Sequence, residues 1–259
     1  MAWNFPTHRL ILAALGLGLL ALIVTGMNWA WLADPKYQLL ILEGIWRTIW
    51  LLALSCGLGF MLAVALGLAQ AYGPWWLAWP AKSFCTIIRG TPLLLQLWLL
   101  YYGLGALFPG IPWIRQSELW PILRQAWPYA LLALTLSYAG YEGEVMRGAF
   151  RSVPKGQIEA AKSMGMPSWK ILTRISFPLA LKSVLPTLGG ETVLQLKATP
   201  LAATVTVVEI YAVASRVRSE TLITYEPLLL VAAVYLGLAG VIVLLFRALE
   251  RRGAPGRRA

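Results

Sequence analysis

The stretch GQIEAAKSMGMPSWKILTRISFP, residues 156–178, places polar and basic side chains between long apolar runs. The whole chain of 259 residues is 59% hydrophobic and 13% charged, with a mean hydropathy of +0.67. A soluble domain carries about 25% charged residues, and its helices have polar outer faces, which the apolar runs here lack. Several of these runs reach the ~18 residues that cross a ~30 Å hydrocarbon core. The sequence therefore predicts an all-α polytopic membrane protein in which this stretch is a loop.

Local signals in this loop predict a helix–turn–helix. Pro154 can open a helix, because its missing N–H would be unpaired in the first turn. Gly165 suits a left-handed C-terminal cap, and Ser168 can cap a second helix, Trp169 to about Ser176, that Pro178 ends. The alternative is a solvated basic loop that touches anionic lipid. Caps at both ends and a turn between them favour the ordered element, which would lie across the mouth of a pore.

Apolar runs predict about six transmembrane helices. Their expected bounds are Leu10–Met27, Leu39–Gln70, Ser83–Phe108, Trp127–Val145, Val184–Tyr211 and Pro227–Phe246. The first run could be a signal peptide, but no small-x-small cleavage site follows it, so a retained anchor helix is the preferred interpretation. We divide the chain into an anchor region (1–38), a transmembrane domain (39–250, including a polar segment at 150–178) and a basic tail (251–259).

The basic residues of the short loops set the expected orientation. With the N-terminus inside, 15 Lys and Arg residues lie in cytoplasmic segments and 5 lie in outer loops. Positive charge accumulates on the cytoplasmic side of membrane proteins, so both termini and residues 156–178 are predicted to be cytoplasmic. The net charge of +11 follows from these loops. Because the cations form no single patch interleaved with aromatic residues, nucleic acid is not an expected partner.

Several kinds of catalytic site are disfavoured by composition. His8 is the single histidine, and Cys56 and Cys85 lie in or beside apolar segments, where they act as small buried hydrophobes. No metal site is therefore expected. The phosphate loop G-x-x-x-x-G-K-S/T is absent from the sequence, so the chain is not expected to hydrolyse ATP itself.

The loop resembles the "EAA" motif of ABC importer permeases. The matching residues are Glu159-Ala160-Ala161, Gly165, Ile175 and Phe177-Pro178, with phenylalanine where leucine is usual. Four further stretches resemble the polar-amino-acid subfamily, in the right order: RGTPLLLQ (89–96), EVMRGA (144–149), SVPKGQ (152–157) and LKATPLA (196–202). The resemblance covers Leu39 to Glu250 and is greatest to the histidine/opine-type permeases, most of which lack an extra first helix.

The resemblance implies a type I importer permease in a bacterial cytoplasmic (inner) membrane. Its partners would be an ABC ATPase dimer, a second permease subunit (paralogous or identical), an external solute-binding protein and membrane lipid. The loop would be the coupling helix that docks on the ATPase, with contacts from Glu159, Ala160, Ala161, Gly165 and Met166. The chain itself would need no cofactor, since the partner ATPase uses ATP and magnesium. The substrate would be a polar, cationic amino acid or an opine-like derivative.

Polar residues within the spans are candidates for the substrate path. They are Glu191, Lys197 and Thr199 on the fifth span, which lines the pathway in this family, and Glu144 on the fourth. Two of them have a structural alternative: Arg147 could neutralise Glu144, and a buried ion pair would explain Lys197. Glu43 and Arg47 are four residues apart and are expected to pair with each other. A passive channel or scaffold is the alternative function, whereas an intramembrane enzyme would need a cluster of catalytic acids or histidines.

Overall fold

The computed structural model describes residues 11–12, 14–15, 18, 21 and 25–253, and every regular element in these residues is a helix. After a 3₁₀ turn at Ala30–Ala33, eight longer segments organise the fold. They are α1 (Pro35–Tyr72), α2 (Trp75–Gly90), α3 (Leu93–Gly110), α4 (Trp127–Ser152), α5 (Lys155–Ser163), α6 (Ser168–Val205), α7 (Ile210–Thr221) and α8 (Tyr225–Gly253). Two short helices, Pro112–Arg115 and Trp120–Leu123, lie between α3 and α4.

In the described part of the chain, four helices are long and apolar enough to cross a membrane: α1, α3, α6 and residues Tyr225–Arg251 of α8. α4 has 26 residues, enough for a span, but it is more polar and supplies much of the buried core. Half of the residues of the predicted anchor helix Leu10–Met27 lie outside the described residues, as do residues 254–259 of the predicted basic tail. Both therefore stay predictions.

The third predicted span is wrong in its start. Residues Trp75–Gly90 form the separate helix α2, and the apolar helix α3 begins only at Leu93. Thr91 between them is extended, with φ −115° and ψ 141°. The residue before a proline is pushed out of the helical region, and Pro92 has that effect on Thr91.

The second helix of the loop is also longer than predicted. Ser168 is its first helical residue and caps nothing, because Pro167 occupies the N-cap position. The helix does not end at Pro178 but continues as α6 to Val205. A π-helical segment at Leu172–Ser176 precedes Pro178, and this looser spacing accommodates a residue without an N–H. The helix therefore begins at Ser168, before the predicted start of the fifth span at Val184. It also ends at Val205, before the predicted end at Tyr211, because Thr206 is left-handed with φ 67°.

Close contact between α1 and α4 forms the centre of the fold. The two helices run parallel, because Gly59 lies against Tyr138 and Gly67 lies against Met146. A Cβ atom added at Gly59 would be 2.9 Å from Cδ1 of Tyr138, and one added at Gly67 would be 2.7 Å from Cβ of Met146. The absence of a side chain at these two positions therefore allows the helices to pack closely. Gly57 faces open space instead.

A charged cluster fastens α7 to the start of α1. The Glu220 carboxylate accepts from Lys36 at 2.7 Å, from Tyr37 Oη at 3.0 Å and from Arg216 at 3.0 Å. The Lys36 and Arg216 hydrogen bonds lower the pKa of Glu220 to about 2, so the carboxylate stays ionised at neutral pH.

We predict that Gly67→Ala destabilises the folded protein by ~1–3 kcal/mol, because the new methyl group overlaps the backbone and Cβ of Met146. The matched control is Gly57→Ala, which meets nothing within 4 Å and gains up to ~1 kcal/mol of helix propensity. Thermal unfolding of both variants in the same detergent measures the difference. Equal melting temperatures for the two variants would contradict the close packing of α1 on α4.

Candidate functional site

A cavity of about 250 Å³ lies between the middle of α4 and the middle of α6. Its lining residues are Leu93, Ser137, Tyr138, Tyr141, Glu191, Leu194, Gln195 and Ala198. The lining contains one carboxylate and no Lys or Arg. The walls are therefore mostly apolar and aromatic, with a few polar groups and one negative charge, which suits a cationic solute.

Glu191 provides the charge of this cavity. It sits on α6, is partly exposed, and makes no ion pair or hydrogen bond within the described part of the chain. An acid in a membrane-spanning helix that faces a cavity without a partner is a candidate for a ligand contact. Of the four predicted path residues, Glu191 is the one that lines this cavity.

Hydrogen bonds hold the cavity wall in place. The Gln195 amide donates to Ser55 Oγ at 3.1 Å and to the Leu134 carbonyl at 2.9 Å, so it joins α6 to α1 and α4. The hydroxyls of Tyr138 and Thr192 bond at 3.2 Å. These contacts fix the helix that carries Glu191 relative to α4. Sequence reasoning missed Gln195 and Tyr138, since only packing reveals that they point into the same gap.

The other three predicted path residues lie elsewhere. Lys197 is exposed and pairs with no acid in the described residues, so the alternative of a buried ion pair does not explain it within this chain. Thr199 is fully buried and bonds to the Leu196 carbonyl at 2.8 Å and the Tyr235 hydroxyl at 2.9 Å. The structure does not bring either of them to the cavity that Glu191 lines.

Glu144 is held by two arginines. Arg147 contacts its carboxylate at 2.7 Å and Arg89 approaches it at 4.0 Å, so the predicted neutralisation by Arg147 is confirmed. The predicted Glu43–Arg47 pair is also confirmed, at 3.6 Å. Both acids therefore have a structural explanation within this chain.

Two buried acids were not predicted as functional residues. Glu142 on α4 is 0% exposed, and neither carboxylate oxygen has a hydrogen-bond partner in the described residues. Glu209 is equally buried, but it caps α7 by accepting from the N–H groups of Tyr211 and Ala212, both at 2.9 Å. Glu142 lies within a predicted span, and an acid in a span is a signal for a functional residue. Sequence reasoning applied this signal to Glu144 but not to Glu142.

The loop between α4 and α6 is ordered as predicted at its turn. Gly165 has φ +72°, its N–H donates to the Lys162 carbonyl at 2.9 Å, and the Met166 N–H donates to the Ala161 carbonyl at 3.1 Å. These two bonds form a Schellman cap, which confirms the left-handed glycine. α5 begins at Lys155, with Pro154 at its N-cap rather than inside the helix.

The outer face of α5 differs from the expectation in one residue. Glu159 and Ala160 are exposed, but Ala161 is 1% exposed and points inward. Consecutive helical residues are about 100° apart, so Ala161 can turn inward while Ala160 stays exposed. Met164 is 75% exposed beside the turn. A partner that approaches α5 therefore meets Glu159, Ala160 and Met164, whereas Ala161 is buried.

Comparison with known proteins gives the class. Residues 58–254 match the family described as "Binding-protein-dependent transport system inner membrane component". The chain is 41% identical over 218 residues to the octopine transport system permease protein OccM of Rhizobium radiobacter, covering 84% of this chain and 87% of that protein. It is 36% identical over 210 residues to the histidine/lysine/arginine/ornithine transport system permease protein HisM of Salmonella typhimurium, covering 81% and 88%.

A solved structure shares the fold. The crystal structure of an amino acid ABC transporter with histidines superimposes with a TM-score of 0.70 at 27% identity, covering 87% of this chain and 100% of that one. The helices α1 to α8 therefore form the membrane domain of a type I ABC importer permease.

The chain belongs to the binding-protein-dependent transport system inner membrane component family. It is the multi-pass inner-membrane permease subunit of an ABC importer, and its partners include an ATPase and a substrate-binding protein. This membership decides against the passive-channel and scaffold alternatives. Hydrolysis of ATP belongs to another subunit of such a system.

Proposed function

We propose that this chain conducts cationic amino acids or opine-like derivatives through the membrane, with Glu191 as the contact for the positive charge. The observation that carries the proposal is an unpaired carboxylate in a cavity with no cation in its lining. Among relatives, HisM is named for histidine, lysine, arginine and ornithine, and OccM for octopine. Lysine and arginine side chains are cationic at neutral pH, so a carboxylate stabilises them by a charge-assisted hydrogen bond.

A second permease subunit, identical or paralogous, would complete the pathway on the open side of this cavity. Large apolar side chains of α3 are exposed, among them Leu95, Trp98 and Leu99. A contiguous apolar surface of this kind is typical of a face covered by another protein or by lipid. In a dimer, two such faces would enclose a path between them, and the predicted residues Lys197 and Thr199 would then border or support it.

Coupling to the ATPase would run through α5. The exposed residues Glu159 and Ala160, the turn at Gly165 and the adjacent Met166 form the proposed docking face, and Ala161 packs behind it. Movement of α5 would reach the cavity because α6 starts just after this turn and continues unbroken to the level of Glu191. ATP that binds to the partner ATPase can shift the balance between the inward and outward forms of the permease. The size of this shift is set by the difference between the affinities of ATP for the two forms of the complex.

We predict that Glu191→Gln reduces uptake of a cationic amino acid by about tenfold to a hundredfold, equivalent to ~1.5–3 kcal/mol for a lost charge-assisted contact. ATP-dependent uptake into vesicles that contain the purified complex is the measurement. Glu43→Gln is the matched control, since its partner Arg47 explains it structurally.

Binding of substrate to the solute-binding protein should not change, because that site is on another chain. Size-exclusion chromatography must show that the Glu191→Gln complex still assembles. An assembled Glu191→Gln complex with the uptake rate of the wild type would remove Glu191 from the substrate path.

We expect Gly165→Asp to abolish transport and stimulation of the ATPase together, while the permease still inserts. A side chain in the left-handed region costs ~1 kcal/mol or more, and the new charge lies at the proposed docking face. The control is Gly156→Asp, which places the same charge in the first turn of α5, where space is open and an acid is favoured. Normal ATPase coupling in the Gly165→Asp complex would rule out this turn as part of the coupling element.

Both termini are proposed to face the cytoplasm, as the distribution of Lys and Arg indicates. A cysteine placed close to the C-terminus, in a background without Cys56 and Cys85, should resist impermeant thiol reagents in intact cells and react after lysis. Labelling in intact cells would refute this orientation. A mature chain that begins after Met27 would refute the retained anchor helix.

A further inference from the structure

A second polar cavity, of about 310 Å³, lies where the end of α1, the start of α2 and the end of α4 meet. It is separate from the cavity that Glu191 lines, and the substrate path does not use it. Its lining residues are Gln70, Trp75, Ala78, Trp79, Lys82, Arg147 and Arg151. We call it the basic cavity.

The basic cavity carries unbalanced positive charge. Three of its lining residues are cations and none is an acid. Arg147 is paired with Glu144, but Lys82 has no acidic partner in the described residues, and Arg151 donates only to the Gln70 carbonyl, at 3.2 Å. An arginine held by a backbone carbonyl keeps further N–H donors in a fixed orientation, which suits a phosphate group.

Gln70 supplies a second polar signal. It is 6% exposed, and its amide nitrogen donates to Cys85 Sγ at 3.4 Å, but its amide oxygen has no hydrogen-bond partner within the described part of the chain. Because this oxygen is buried, a group in the cavity does not reach it, and the contribution of Gln70 is its backbone carbonyl, which orients Arg151. A phosphate-bearing headgroup would satisfy the cations that line the cavity.

The surroundings of the basic cavity are those of a membrane surface. Trp75 and Trp79 are 80% and 68% exposed and lie four residues apart, on one face of α2. Tryptophan prefers the level of the lipid headgroups. A concave basic site with aromatic flanks fits a lipid better than the acidic face of a soluble protein.

We propose that the basic cavity binds the headgroup of an anionic phospholipid of the inner leaflet, with Lys82 and Arg151 contacting the phosphate. Basic pockets between membrane helices on the cytoplasmic side bind such headgroups. Arg151 lies in the last turn of α4, directly before the loop that leads to α5. The bound lipid therefore fastens α2 to α4 at the base of the coupling element.

The test uses the full chain, purified with the subunits that copurify with it. The protein is placed in nanodiscs of phosphatidylglycerol or of phosphatidylcholine, transferred to detergent, and weighed by native mass spectrometry to count retained lipids. We expect retained phosphatidylglycerol and little retained phosphatidylcholine. The double variant Lys82→Gln/Arg151→Gln should bind phosphatidylglycerol roughly 25-fold more weakly, at roughly fivefold per cation.

The matched control is Lys182→Gln/Arg174→Gln, which removes two exposed cations outside the basic cavity and should bind like the wild type. Equal retention of both lipids, or equal loss in both double variants, would overturn the proposal. Displacement of the lipid signal by excess inorganic phosphate alone would show a site for a free anion instead. A Lys82→Gln/Arg151→Gln complex that loses the ATPase subunit but retains lipid unchanged would assign this surface to a protein partner. That result would also refute the proposed lipid site.

Discussion

The close approach of α1 to α4 is the constraint on which the other contacts depend. At Gly59 and Gly67 the space that a side chain would fill is occupied by Tyr138 and Met146. Lipid tails are as apolar as leucine, so helix association in a membrane depends on close packing and hydrogen bonds rather than on the hydrophobic effect. Two parallel helices in such contact form a wall against which α2, α6 and α7 pack, each through its own small residues or polar contacts.

Polar contacts then determine how α6 sits on this wall. Gln195 reaches Ser55 on α1 and the Leu134 carbonyl on α4, and Thr199 reaches Tyr235 on α8. Tyr235 in turn donates to Glu209 at the start of α7, at 3.1 Å. Each of these atoms would be costly to bury without a partner. The network fixes the rotation of α6 about its axis, and this rotation is what directs Glu191 into the cavity.

The helix that carries Glu191 is continuous with the segment that follows the loop turn. A π-helical stretch at Leu172–Ser176 lets α6 pass Pro178 without a break. A rigid connection of this kind can transmit displacement from the loop turn to the cavity that Glu191 lines, whereas a flexible link would absorb it. The proposed lipid at Lys82 and Arg151 would hold the end of α4. It would thereby influence the resting position of α5, which follows α4 in the chain.

The sequence by itself determined the membrane class, most of the helices and the loop turn. Hydropathy and loop charge act locally, and a glycine followed two residues later by a proline, as at Gly165, favours a left-handed turn, so these features need no tertiary information. The pairing of Glu144 with Arg147 and of Glu43 with Arg47 was also predictable, because both pairs lie one turn apart on a helix.

Only the tertiary structure decided where helices stop and which polar residues meet. Pro178 is expected to end a helix, but the π-helical segment tolerates it, and Pro92 breaks a run that looks continuous in hydropathy. The separation of Glu191, which lines the cavity, from Thr199, which is buried against Tyr235, depends on the rotation of α6. Sequence spacing places both residues on one helix, but the face that each one presents follows from contacts between residues far apart in the chain.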